Sequence, residues 1–218
     1  MPEPRPDLIA IIVGVAALGL VPFAAVTATA FLKIAVVLFL IRNALGTQQT
    51  PPNLVLYGIA LVLTAYVSAP LLAQVQAGLS DPALDFSSPD GLRRAGAAVA
   101  EPLRGFLSRF AAERERDFLL AAANRLWQPE AAQTVGRDDL VVLLPAFVIS
   151  ELTRAFEIGF LLYLPFIAID LIVSNVLMAM GMVMVSPLVV SVPFKLFLFV
   201  VVEGWSRLTH GLVLSYAG

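Results

Sequence analysis

The stretch that decides the fold is Ile169–Phe199, IDLIVSNVLMAMGMVMVSPLVVSVPFKLFLF. It carries no charge between Asp170 and Lys195, and Pro187 and Pro193 punctuate its second half. Met178, Met180, Met182 and Met184 alternate around Gly181 and make up four of the chain's five methionines. A continuous α-helix turns residues two apart by about 200°, which scatters such a set around the axis. Alternate residues share a side only in extended backbone. The spacing therefore predicts that a helix ends near Gly181 and that Met182 and Met184 project the same way from a short non-helical loop.

A reversal at this point has a consequence for charge. Asp170 and Lys195 are equidistant from the midpoint between Met182 and Val183, so a helical hairpin places them at a similar depth. Each charge alone is costly in an apolar interior, and a pair is tolerable. In one continuous helix the two would instead lie ~37 Å apart. Methionine is a soft core-filling residue, but this density beside a glycine points to a functional surface. Unbranched thioethers close around changing shapes better than branched Leu or Val, as a seal or a promiscuous binding ring must.

Working outward, hydrophobic residues form 59% of the 218 positions, more than a soluble globule carries, and a membrane class follows. The absence of cysteine excludes a disulfide framework, thiolate-bound metal and thiol catalysis. His210 is the single histidine, which leaves little for a histidine metal site or a serine-type triad. No Walker loop, dinucleotide-binding fingerprint or basic tract for nucleic acid is present. The expectation is a non-enzymatic protein without cofactor, metal or nucleic-acid partner. The fold expected is all-α, with membrane-type helical hairpins and a small inserted helical aqueous subdomain.

Residues 1–75 are expected to hold N-terminal apolar helices. After a polar leader, an apolar segment runs from Leu8 to Leu20. A secretory signal competes for this region through Ala28-Thr29-Ala30, but the leader lacks the positive n-region that signals need. Pro22-Phe23 breaks the run, and a helix is expected from Ala24 to Leu45. Lys33 inside it should face protein or water, or snorkel to a headgroup, because a charge at the bilayer centre costs roughly 2.5–3.5 kcal/mol. Gly46 reads as a C-cap, and Pro51-Pro52 prevents helix continuation. A second helix from Leu54 to Val75 can span ~30 Å of hydrocarbon and closes an antiparallel hairpin, with a kink or break expected at Pro70.

Residues 76–137 are rich in Arg, Ala and acids and read as the inserted polar helical subdomain. Ser88-Pro89-Asp90 is a helix start. A longer amphipathic helix is expected from Pro102 to Trp127, with a stripe of Leu103, Phe106, Leu107, Phe110, Phe118, Ala122 and Leu126. Arginines balanced by acids give no orientation by the positive-inside rule. Residues 138–218 hold the C-terminal helices and the methionine-rich hairpin loop. Asp138 or Asp139 can cap the next helix, where Glu151, Arg154 and Glu157 recur every three residues along one face. In so apolar a chain that ladder, with Lys33 and Arg42, is assigned to an inter-subunit interface. Glu203 and Trp205 mark a helix end or an interfacial position.

Four separated motifs resemble one family. RNALGTQQTPPN (42–53), LPAFVISEL (144–152), YLPFIAIDLIVSNVLMAMGM (163–182) and VPFKLFLFVVVEGW (192–205) resemble the SctR/FliP family, a core subunit of the type III secretion export apparatus of injectisomes and flagella. The resemblance implies an export gate in the bacterial inner membrane. Several copies, five in the family, assemble with SctS- and SctT-type subunits into a helical pore for unfolded proteins, and the polar subdomain lies on the periplasmic side. It also implies that much of the apolar surface is covered by other subunits rather than lipid. A methionine-rich loop from each copy constricts the channel. Met182 and Met184, after Gly181, match that loop, and Met178 and Met180 belong to the preceding helix. Val183 stands where flagellar members commonly have a further methionine, and GTQQTPPN looks more like an injectisome member. A different class is a secondary transporter or ion channel using Asp170 and Lys195. It would call for internal repeats with matching broken helices, and the chain shows no repeat.

Overall fold

The computed structural model describes residues 19, 22–47, 49–82, 84 and 88–217. The expected apolar segment from Leu8 to Leu20 lies outside the described residues apart from Gly19. Among the described residues all regular structure is helical. After a short helical turn at 22–27 come α1 (Phe31–Ala44), α2 (Asn53–Leu79), α3 (Pro89–Phe110) and α4 (Glu113–Leu126). The short α5 (Pro129–Gln133) leads into α6 (Leu140–Ala179), α7 (Pro187–Val201) and α8 (Gly204–Leu214).

Helix α1 is the centre of the core. Ile34, Val37, Leu38 and Ile41 are buried with Leu143, Ala146 and Phe147 of α6 and Leu56 and Ala60 of α2. The turn between α1 and α2 is held by Arg42, which donates to the Pro51 carbonyl at 3.3 Å and to the Asn53 side chain. The expected helix from Ala24 to Leu45 is in fact two pieces. The Thr27 and Thr29 hydroxyls donate to the Phe23 and Ala25 carbonyls, and Thr29 Oγ1 accepts the Phe31 N–H. Threonine side chains that bond the local backbone compete with helix continuation, and α1 begins after them. Helix α2 runs through Pro70 without a break.

The polar segment also departs from expectation. The single amphipathic helix expected from Pro102 to Trp127 is broken at Ala111 and Ala112, where the backbone turns extended. Its exposed groups find partners on α6: Ser150 Oγ accepts the Ala112 N–H at 2.8 Å, and Arg154 donates to the Phe110 carbonyl at 2.9 Å. With those orphan backbone groups satisfied, the break is stable. The stripe divides accordingly, with Leu107 and Phe110 buried on α3 and Phe118 and Leu126 exposed on α4. Ser88 caps α3 by accepting the Gly91 N–H at 3.0 Å. Asp139 precedes α6 as expected of a cap residue, but its carboxylate accepts the Gly136 N–H at 2.7 Å rather than a helix donor.

Helices α2 and α6 are each long and apolar enough to cross a membrane, and α7 with α8, bent by 61° at their junction, adds a third if the pair is one span. The 40 residues of α6 measure about 60 Å, twice the ~30 Å hydrocarbon thickness. Its outward side chains, Phe156, Phe160, Leu161, Leu171 and Ile172 among them, are exposed in the isolated chain. Lipid or other chains must cover that surface.

Candidate channel-lining site

Helix α6 stops at a glycine turn. The Gly181 N–H donates to the Met178 carbonyl at 3.0 Å and the Met182 N–H to the Leu177 carbonyl at 2.9 Å, with Gly181 at φ +73°. These are the two bonds of a Schellman motif, whose left-handed position glycine fills without strain. Two further bonds brace the loop, from Val183 N–H to the Gly181 carbonyl at 3.0 Å and from Val185 N–H to the Met182 carbonyl at 3.3 Å. Ser186 and Pro187 then start α7, with proline at the position where its missing N–H costs nothing. Met184 is fully exposed at 101% and Val183 85% exposed, while Met182 is 40% exposed. Met178 and Met180, at the end of α6, are exposed as well. The tip is therefore a rigid turn that presents thioethers to its surroundings.

Below the tip, α6 and α7 are joined by charge. Lys195 Nζ lies 2.6 Å from Asp170 Oδ2, and the Ser191 hydroxyl donates to Asp170 Oδ1 at 2.7 Å. Lys195 also donates to the Ala44 carbonyl at 3.1 Å, placing a cation at the C-terminus of α1, where unbonded carbonyls and the helix dipole favour it. The two partners differ in burial: the Lys195 side chain is 3% exposed and that of Asp170 38%.

The ladder residues separate into two groups. Lys33 and Glu151 are enclosed within the single chain, at 1% and 0% exposure, with Nζ 3.3 Å from Oε2. Lys33 also sits 3.6 Å over the Tyr216 ring, and the Tyr216 hydroxyl donates to Glu151 Oε2. Burial, and then the Glu151 carboxylate, push this hydroxyl well above the ordinary phenol range, so it remains a donor. Arg154 reaches Glu151 Oε1 at 3.2 Å and keeps part of its surface open. Glu157 is exposed and Arg42 half-buried. Only Arg42, Arg154 and Glu157 thus keep surface for another subunit. The tyrosine that completes the cluster carried no signal, because one aromatic near the end of the sequence has no periodicity. Tyr216 stands among Phe106 and Phe110, with ring centroids 6.4 and 5.0 Å away.

A methionine-tipped hairpin and long apolar helices whose outer faces the chain itself leaves uncovered define a helical protein of the membrane type. The FliP family model matches residues 15–212, and the chain belongs to this family. It is 56% identical to a protein of Sinorhizobium fredii named probable translocation protein y4yL, over 99% of this chain and 97% of the relative. It is 48% identical to the Yop proteins translocation protein R of Yersinia pestis, over 98% of each chain. The harpin secretion protein HrcR of Erwinia amylovora is 46% identical over 92% of each.

Proposed function

We propose that the chain is a core subunit of a type III secretion export gate. Several copies, five by the family resemblance, assemble with SctS- and SctT-type subunits in the bacterial inner membrane, with residues 76–137 as a subdomain on the periplasmic side. Met182 and Met184 of each copy constrict the channel, Gly181 sets the turn that presents them, and Met178 and Met180 flank it on α6. Unfolded substrate passes between the copies. The chain performs no chemistry of its own, and energy is supplied elsewhere. Arg42, Arg154 and Glu157 contact neighbouring subunits.

The observation that carries this reading is the closed glycine turn that leaves Met184 wholly exposed, on a chain closely similar to proteins named for translocation and secretion. Adaptable thioethers on a rigid turn suit a seal that must yield to many sequences and close again. An ion path through Asp170 and Lys195 has less support, because the two are bonded to each other, to Ser191 and to the Ala44 carbonyl, and the sequence shows no internal repeat.

Assembly is the test. Co-expression with SctS- and SctT-type subunits, followed by native mass measurement, is expected to give a mixed complex containing several copies of this chain. A chain that stays monomeric beside those subunits overturns the reading.

A further inference from the structure

The start of α7 rests on the end of α1. Leu188, Val192 and Lys195 recur at helical spacing on one face of α7, and all three meet the Ala44–Gly46 cap. Lys195 bonds the Ala44 carbonyl. A Cβ added at Gly46 would lie 2.9 Å from Val192 Cγ2, 3.3 Å from Leu188 Cδ1 and 4.0 Å from Lys195 Nζ. Gly46 has φ +75° and its N–H bonds the Asn43 carbonyl at 3.0 Å, so the backbone enters its turn while touching α7. Leu188 is the second residue of α7 and Met184 lies just before that helix. Little slack separates this contact from the tip, because the Val185 N–H is bonded to the Met182 carbonyl and Ser191 to Asp170.

We propose that Gly46 is a positioning residue for Met182 and Met184: its bare α-carbon lets the first two turns of α7 seat on the α1 cap, and this seat fixes where the methionine turn stands. The polar turn around Gly46 lies on a different element from the constriction and controls it through the Leu188–Val192–Lys195 face. A Cβ at Gly46 presses on the Val192 and Leu188 side chains, and in this proposal α7 moves to relieve the contact and carries the methionine turn with it. The inference rests on the reading of that turn as the channel constriction.

The native chain has no cysteine, so a spin label at a Val183→Cys background reports the tip without removing other thiols from this subunit. In the assembled complex reconstituted in vesicles, distances between labels on different copies are compared for Gly46→Ala, Gly46→Asn and each of these with Val192→Ala. Asparagine tolerates positive φ better than other residues with a Cβ, so it separates the contact from backbone strain. Both single variants are expected to move the mean label spacing outside its unsubstituted width and to raise ion leakage. Val192→Ala, which removes the nearest methyl, is expected to restore both in the Gly46→Asn background, where backbone strain is smaller. Unmoved labels in the Gly46 variants, or a Gly46→Asn shift that Val192→Ala does not reverse, overturns the proposal. If the labels move while neither these variants nor Met182→Ala/Met184→Ala leak, the positioning stands and the constriction reading fails. If the methionine variant leaks but the labels of the Gly46 variants stay in place, the reverse holds.

Discussion

Replacing Glu151 with alanine is expected to lower stability by about 3–5 kcal/mol, the cost of leaving a buried charge without its partner. Lys33 would be left with 1% exposure and without its paired carboxylate, over the Tyr216 ring. The same change frees the Tyr216 hydroxyl and one contact of Arg154, and unsatisfied buried groups add to the loss. The double variant Lys33→Met with Glu151→Gln should recover most of it, because the buried ion pair is gone and the glutamine carbonyl can accept from Arg154 while its amide donates to the Tyr216 hydroxyl. Denaturant unfolding of the detergent-extracted protein checks both. Where Glu151→Ala does not accumulate, Tyr216→Phe gives a milder version, with an expected loss of about 1.5–3 kcal/mol for the hydrogen bond to a charged group, since Oε2 keeps Lys33 at 3.3 Å. A single and a double variant of equal stability would mean that the pair contributes packing alone.

The second large effect is an asymmetry. Asp170→Ala leaves Lys195, almost fully buried, with the Ala44 carbonyl as its only acceptor among the described residues, at an expected cost of about 3–5 kcal/mol. Lys195→Ala leaves Asp170 bonded to Ser191 and 38% exposed, so water can reach it, and about 1–3 kcal/mol is expected. The order follows from burial and not from the distance the two share. The same unfolding measurement ranks them, and a larger loss from Lys195→Ala would show that the cation at the α1 terminus contributes more than the pair. Asp170→Asn, whose single carbonyl oxygen can still accept from Lys195 while its amide donates to the Ser191 hydroxyl, should fall between Asp170→Ala and the unsubstituted protein.

How far these sites could be read from the sequence depends on whether their causes are local. The end of α6 was legible because Gly181 and the charge-free run around it act within a few residues. The equal spacing of Asp170 and Lys195 from the turn is likewise visible in the sequence. Their third partner, the Ala44 carbonyl, is not, since a backbone group on a distant helix leaves no residue signature. The break between α3 and α4 was missed for the same reason. Alanine favours helix, so Ala111-Ala112 reads as continuous, and the interruption is held by Ser150 and Arg154 of α6. The ladder Glu151-Arg154-Glu157 announced one helix face but not what lies against it. Periodicity cannot tell a face turned toward another subunit from one turned toward Lys33 and Tyr216 of the same chain. The hydrophobic pattern marked α2 as a span, while the length of α6 and the uncovered surface along it appear only in the folded chain.

In the proposed gate the methionine turns close a channel between copies. The measurement that tests it most directly is the ion permeability of the assembled complex, reconstituted in vesicles, with and without Met182→Ala and Met184→Ala together. Alanine keeps the turn, whose bonds are all backbone and whose left-handed position is Gly181, and removes only the thioethers. A tight unsubstituted complex and a variant that leaks small ions are expected. A variant as tight as the unsubstituted complex would contradict a methionine seal.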